Sequence, residues 1–267
     1  MPPLGIAGRM IDFLATIGRR VLDILAIAGR LTIFIARALS HCVRPPFYFR
    51  NIGRQFWTIG YNSLPVVGLT AIFTGAVLAL QGYVGFSRFA APTAIPAVVA
   101  VSVTRELGPV LASLMVAGRV GAAIAAEIGT MRVTEQIDAL DTLATNPMKY
   151  LVVPRVLAGL LMMPLLVIVA DVIGVMGGFV VSSFILEFNE SAYLINSINA
   201  LHTMDIVSGL VKAAVFGLIV TLLGCFNGYG SRGGAEGVGT ATTNAVVYAS
   251  VLILFFDYFL TELFLTR

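Results

Sequence analysis

The chain has 267 residues, of which 58% are hydrophobic and 12% charged, and its mean hydropathy is +0.94. That is too little polar surface to coat a water-soluble globule of this size, so a bilayer must be part of its solvent. The net charge of +3 gathers on no soluble basic patch, and no nucleic-acid partner is expected.

Residues 9–44 come first. Asp12, Arg19, Asp23, Arg30, Arg37 and Arg44 recur at spacings of seven or four. At about 100° per residue they form, with His41, one narrow stripe on a helix otherwise built of Ile, Leu, Phe, Val and Ala. Such a helix lies in the membrane interface with its stripe toward water, and Pro45-Pro46 ends it. Residues 1–46 read as this interfacial amphipathic unit and 47–267 as the membrane domain. No short apolar segment with a small-residue cleavage site opens the chain, so no cleaved signal peptide is expected.

Spanning helices are predicted at about 57–83, 93–128, 156–186, 206–226 and 243–264. The first lies in an uncharged stretch, residues 55–87, longer than the roughly 20 residues a bilayer requires. The second carries Arg105, Glu106, Arg119 and Glu127 and must be shielded from lipid at those positions. Only Asp171 interrupts the third. Residues 187–205 hold Glu187, Glu190 and Asp205 without Lys or Arg, and read as an outer loop. The glycine-rich stretch 227–239 reads as a flexible connection between the last two spans, with a secondary contact to a partner possible. Arg9, Arg19, Arg20, Arg30, Arg37, Arg44, Arg50 and Arg54 precede the first span, and Arg132, Lys149, Arg155 and Arg232 fall on the same side. The amino terminus is therefore expected in the cytoplasm. No internal repeat is apparent.

The segment from Glu127 to Asp141 is polar and lies between spans two and three. A short helix starting near Thr130 would align Val133, Ile137 and Leu140 on one face, and Glu135 with Asp138 on another. That apolar stripe either enters a groove on a partner, with the acids meeting basic residues at its rim, or covers the inner membrane surface. Just upstream, Gly118, Ala122, Ala126 and Gly121, Ala125, Gly129 repeat small residues every four positions. They allow close helix approach, within one subunit or between two.

Arg105 and Glu106 are adjacent, so on a helix they point about 100° apart and cannot pair with each other. Either they line a lipid cavity with Leu78, Phe86, Phe89 and Leu107, where a phosphate meets Arg105, or they bridge structurally to Asp171, Lys212 or Asp257. Asp171 and Asp257 each stand alone in an apolar run. Pairing with Arg105, Arg119 or Lys212 is favoured over a proton relay, because buried charges are paired and a relay needs a chain of titratable groups. Cys42, Cys225, His41 and His202 are too scattered for a disulfide framework or a metal site. His202, Asp205 and Ser208 lie too close in sequence for a hydrolytic triad, and a helix cap explains the last two. No Gly-x-x-x-x-Gly-Lys-[Ser/Thr] occurs, and neither Lys149 nor Lys212 follows glycine. The chain has no cradle for ATP phosphates, carries no cofactor of its own, and must draw energy from a partner or a gradient.

Arg105-Glu106-Leu107-Gly108-Pro109, Ala117-Gly118-Arg119, the run from Ala126 to Met131 and Thr134-Glu135-Gln136 resemble the MlaE/YrbE family of ABC permeases. Phe226-Asn227-Gly228-Tyr229 and Ala241-Thr242-Thr243 match its closing segments, so the resemblance runs from about residue 45 to the end. It implies an all-α polytopic permease, homodimeric, in the cell inner membrane. ATP and magnesium would belong to a cytoplasmic ATPase dimer, and an MCE-domain lipid-binding protein would stand on the periplasmic side. The implied cargo is phospholipid moving between inner and outer membranes, in maintenance of outer-membrane lipid asymmetry. A sterol or other hydrophobic compound is the alternative. Glu127 to Asp141 would be the coupling helix that seats in the ATPase, with Glu127, Gly129, Met131, Arg132, Thr134, Glu135, Gln136, Asp138 and Leu140 as its contact candidates. Two other classes stand against this reading. An intramembrane lipid-modifying enzyme lacks any visible nucleophile and base, and a proton-driven secondary transporter would rest on Asp171 and Asp257.

Overall fold

The computed structural model describes residues 6–45, 48–87 and 92–265, and every regular element among them is a helix. α1 (Ile6–Val43) belongs to a unit of its own, Met1–Pro45. Leu14, Leu22 and Leu25 are exposed along it, and so are Arg19, Arg30 and Arg37.

The second unit, Pro46–Arg267, contains 5 helices long and apolar enough to cross a membrane, Phe49–Ser87, Ile95–Val133, Met148–Phe184, Thr203–Tyr229 and Gly234–Phe264. Most outrun the apolar cores that hydropathy marks, because their end turns are amphipathic.

The first span bends. α2 (Phe49–Ile59) carries Arg50 and Arg54 with Phe49 and Trp57 exposed, and a 3-10 turn, Tyr61–Ser63, leads into α3 (Leu64–Ser87). At the bend a Cβ on Gly60 would strike the Met162 side chain and the Phe56 carbonyl, and Pro65 offers no N–H to the preceding turn. The second span is also composite. α4 (Ile95–Ser102), α5 (Gly108–Val116) and α6 (Ala122–Val133) are joined by π-helical turns at Val103–Leu107 and Ala117–Gly121. Each π turn re-aims the side chains it carries, and these two carry Arg105, Glu106 and Arg119.

After α7 (Gln136–Thr142) a third π turn, Met148–Val152, opens the long α8 (Val153–Phe184). α9 (Glu190–Ala200), α10 (Thr203–Tyr229) and α11 (Gly234–Leu265) complete the chain. Close helix approaches are made by glycine. A Cβ on Gly75 would collide with the Gly174 carbonyl between α3 and α8, and one on Gly217 with the Gly159 carbonyl between α10 and α8.

Two stretches expected to be loops are structured. Within 187–205, Asn189 accepts a hydrogen bond from Ala192 N (3.0 Å) and starts α9. That helix packs on α4. Tyr193 is buried there beside Ser182 and Ser197, with its ring 5.6 Å from Phe179, and burial pushes its hydroxyl up to about 12. Ser197 Oγ donates to the Pro96 carbonyl at 3.4 Å. The glycine-rich connection shrinks to residues 230–233, since α10 runs to Tyr229 and α11 begins at Gly234. Gly233 and Gly234 take φ of 85° and 69°, which makes the turn tight rather than loose.

Candidate functional site

The π turn at Val103–Leu107 faces α10 and α11, and its charges are met there. Glu106 Oε2 lies 2.5 Å from Lys212 Nζ, and the same ammonium lies 3.0 Å from Asp257 Oδ1. Lys212 also donates to Thr261 Oγ1 (2.7 Å) and to the Arg105 carbonyl (3.3 Å). Its side chain is 1% exposed, while that of Glu106 is 36% exposed. Arg105 turns the other way, to Asp205 Oδ1 at 3.5 Å. Asp205 in turn caps α10 by accepting the His202 N–H at 3.0 Å. Close approach of α10 to this turn depends on Gly209, where a Cβ would meet the Thr104 carbonyl.

Of the residues proposed to line one lipid cavity, the structure makes three groups. Arg105 and Glu106 belong to the ion cluster. Leu78 and Phe86 pack against a buried apolar cluster that includes Ala79, Ile95, Val99 and Val181. Leu107 lines a small apolar pocket with Val67, Thr70, Thr74, Leu111 and Ala170. Phe89 lies outside the described residues.

Two intramembrane charges depart from the expected pairing with an opposite charge. Arg119 Nη1 donates to the Ser63 hydroxyl (2.8 Å) and the Thr58 carbonyl (3.3 Å), so it ties the second π turn to the bend between α2 and α3. The broken helix leaves a carbonyl free there, and a guanidinium is long enough to reach it. Asp171 meets no cation among the described residues. Its Oδ1 has no hydrogen-bond partner and lies over Gly108, whose missing Cβ makes the room.

The segment from Glu127 to Asp141 divides differently from expectation. α6 continues to Val133, a turn follows with Glu135 in the left-handed region (φ 59°), and only then does α7 begin. Ile137, expected on an outward apolar stripe, is 0% exposed, while Glu135, Gln136, Asp138 and Asp141 are exposed and Leu143 projects beyond them. A free helix would present its stripe; this one is folded back at Glu135, and burial of Ile137 within the chain outweighs display. Asp138 pairs with Arg132 across the turn at 2.5 Å. Glu127 sits higher, paired at 2.8 Å with Arg155, whose side chain is 4% exposed. Gly129 packs against Ser231 and Val238 at the base of α11. Met131, Thr134 and Leu140 remain at or near the surface of this end. Asp205 as the partner of Arg105, Thr261, and Arg155 as the partner of Glu127 were not singled out in the sequence. The four-residue spacing of Asp257 and Thr261 was the one available signal for the second.

Among the small-residue rows, Gly121 and Ala125 receive α10 at Gly224 and Gly228, whereas nothing lies within 4 Å of a Cβ placed on Gly118. The buried face of α11 is correspondingly narrow, Ala241, Ala245, Ala249 and Ile253, with Phe255, Tyr258 and Phe259 exposed around it.

The family described as Permease MlaE matches residues 52–263. A probable ABC transporter permease protein of Rickettsia felis is 54% identical over 255 residues, which is 96% of this chain and 98% of its own. The intermembrane phospholipid transport system permease protein MlaE of Haemophilus influenzae is 36% identical over 257 residues, 95% of this chain and 98% of its own. A chloroplastic protein of Arabidopsis thaliana, TRIGALACTOSYLDIACYLGLYCEROL 1, is 36% identical over 245 residues, 92% of this chain and 68% of its own. With its helices, its lack of an ATP cradle and these similarities together, the chain belongs to the MlaE permease family, a multi-pass membrane protein that is the permease subunit of an ABC transporter and not its ATPase.

Proposed function

We propose that this permease moves phospholipids between the inner and outer membranes, in maintenance of outer-membrane lipid asymmetry. The observation that carries this reading is the near end-to-end similarity to a permease named for intermembrane phospholipid transport. The ion cluster around Lys212 supports it, because charged groups within a membrane mark substrate pathways by default. In this reading the protein lies in the inner membrane with its amino terminus in the cytoplasm and α1 along the interface. Two copies meet at the Gly118 row and the exposed face of α11. A cytoplasmic ATPase dimer, which binds ATP and magnesium, docks at the acidic face of α7, and a periplasmic MCE-domain protein exchanges lipid at the α9 end.

The test is reconstitution of the permease with its co-purifying ATPase in vesicles holding labelled phospholipid. ATP-dependent movement of that lipid is the expected result. Movement of a labelled sterol instead would assign another hydrophobic cargo, and transport that follows a proton gradient without ATP would overturn the reading.

A further inference from the structure

α9 joins the third span to the fourth and packs on α4, at the end of the second span farthest from α7. Its surface divides into three arcs. Tyr193 and Ser197 point one way and are buried. Turning at about 100° per residue from Tyr193, the next arc holds Leu194, Ile198 and Ile195. All three are exposed, Ile198 to 69%. Asn199, Ala192 and Asn196 complete the circle and are exposed too. Of the polar side chains only Ser191, in the first turn, falls within the apolar arc, and its hydroxyl donates to Asn189 Oδ1 at 2.6 Å.

The depth of α9 follows from its contacts. A Cβ on Gly178 would meet the Tyr193 hydroxyl, and Gly178 lies six residues inside the end of α8 at Phe184, about 9 Å along the helix. Ser197 reaches Pro96, in the first turn of α4. Only Leu201 and His202 separate α9 from α10, so it can stand at most about 10 Å above the first turn of that span. α9 therefore runs beside the ends of the spans and not above them. Phe184 and Ile185 at the exit of α8, and Met204 and Val207 at the entry of α10, are exposed as well. Apolar exposure thus continues along the chain from the membrane-spanning helices into both ends of α9.

We propose that the flank of α9 formed by Leu194, Ile195 and Ile198 is seated in the bilayer, at the boundary between headgroups and acyl chains of the leaflet opposite α7, while Asn196 and Asn199 face water. A patch built to dock a protein has an apolar centre with a polar rim around it. Here the polar residues stand on one side only, as in a helix lying in an interface. No Lys or Arg occurs between residues 187 and 205, so nothing on the helix attracts anionic headgroups and its hold is apolar. This placement is independent of the cargo the permease moves.

The experiment places nitroxide spin labels singly at Leu194→Cys, Ile195→Cys, Ile198→Cys, Asn196→Cys and Asn199→Cys. The background is Cys42→Ser, which leaves only the buried Cys225. The permease, purified with its ATPase, is reconstituted in vesicles of phosphatidylethanolamine and phosphatidylglycerol. Collisions with oxygen, which concentrates in the bilayer, are compared with collisions with a water-soluble nickel chelate. Labels at 194, 195 and 198 are expected to favour oxygen severalfold, and those at 196 and 199 to favour the chelate. Each label replaces an exposed side chain, and the two asparagine positions report whether the helix keeps its fold. Chelate preference at 194, 195 and 198 would put the flank in water and overturn the proposal. Shielding of those three from both reagents would also overturn it, by assigning the flank to a protein partner.

Discussion

Lys212 Nζ lies 3.3 Å from the carbonyl oxygen of Arg105, an oxygen to which Pro109, four residues on, offers no N–H. The proline that opens the second span's π turn also creates an acceptor, and the buried lysine fills it while holding Glu106 and Asp257. One ammonium thereby fastens α10 and α11 to the middle of the second span.

Lys212→Met should therefore be costly. It removes the cation from two carboxylates and the donor from a free carbonyl, and breaking a buried pair on one side costs about 3–5 kcal/mol. Thermal unfolding in detergent measures this. Adding Glu106→Gln and Asp257→Asn to Lys212→Met should recover much of the loss, since no charge is then stranded. A Lys212→Met protein as stable as wild type would show the cluster to be far wetter than its 1% exposure implies.

Arg119→Ala is expected to loosen the bend between α2 and α3. It takes the Arg119 donor from the Thr58 carbonyl and from the Ser63 hydroxyl, which keeps its own bond to the Ile59 carbonyl, a loss of about 1–3 kcal/mol for a buried group left without its partner. Arg119→Lys keeps one donor and should fall between. Hydrogen exchange at residues 58–64 is the readout, and protection unchanged from wild type would remove Arg119 from this role.

The five spans were legible because continuous apolar length survives any detail of packing. Their composite nature was not. Gly60 and Pro109 could be seen in the sequence, yet whether a glycine or proline bends, widens or merely decorates a helix depends on what packs against it. For Gly60 that is Met162, a hundred residues away. α9 was missed because its buried face is Tyr193 and Ser197, residues that look polar until α4 covers them. The candidate site was half visible. Lys212, Glu106 and Asp257 stood out as charges in apolar runs, but the choice among partners needed the three helices side by side, and Asp205 was hidden by its second role as a cap.

Glycine substitutions should sort by approach distance. Gly159→Ala puts a Cβ against the Gly217 carbonyl and the Thr221 side chain, and overpacking of this kind costs typically 1–3 kcal/mol or more. Gly118→Ala meets nothing within 4 Å and should raise monomer stability by up to about 1 kcal/mol through helix propensity. Gly118→Leu then tests the proposed dimer. Cross-linking of two copies should fall while the monomer's unfolding temperature holds, and unchanged cross-linking would move the dimer contact elsewhere.

At α7, Glu135→Lys with Asp138→Lys should abolish co-purification of the ATPase. Stability should change little, because the Arg132–Asp138 pair is exposed and such pairs contribute about 0–1 kcal/mol. Glu135→Gly separates shape from charge. Glycine tolerates the 59° φ and should stabilise the turn by up to about 1 kcal/mol, while the loss of one acid weakens docking only in part. If both proteins bind the ATPase like wild type, docking lies on another surface.

Asp171 offers the sharpest contrast with the cluster. No cation among the described residues faces it, and its Oδ1 rests over Gly108. Asp171→Asn preserves that shape and strands no charge, so it should cost under about 1 kcal/mol, in the range of substitutions that disturb no network. ATP-driven transport should persist in the variant. A proton relay through this residue requires the opposite, a loss of transport with the fold intact. Gly108→Ala should be the damaging change at this contact, because its Cβ lands on the Asp171 carboxylate and the Val103 carbonyl. Combining Gly108→Ala with Asp171→Ala should restore part of the lost stability by clearing the first of those two collisions, and no recovery would place the strain wholly in the π turn's backbone.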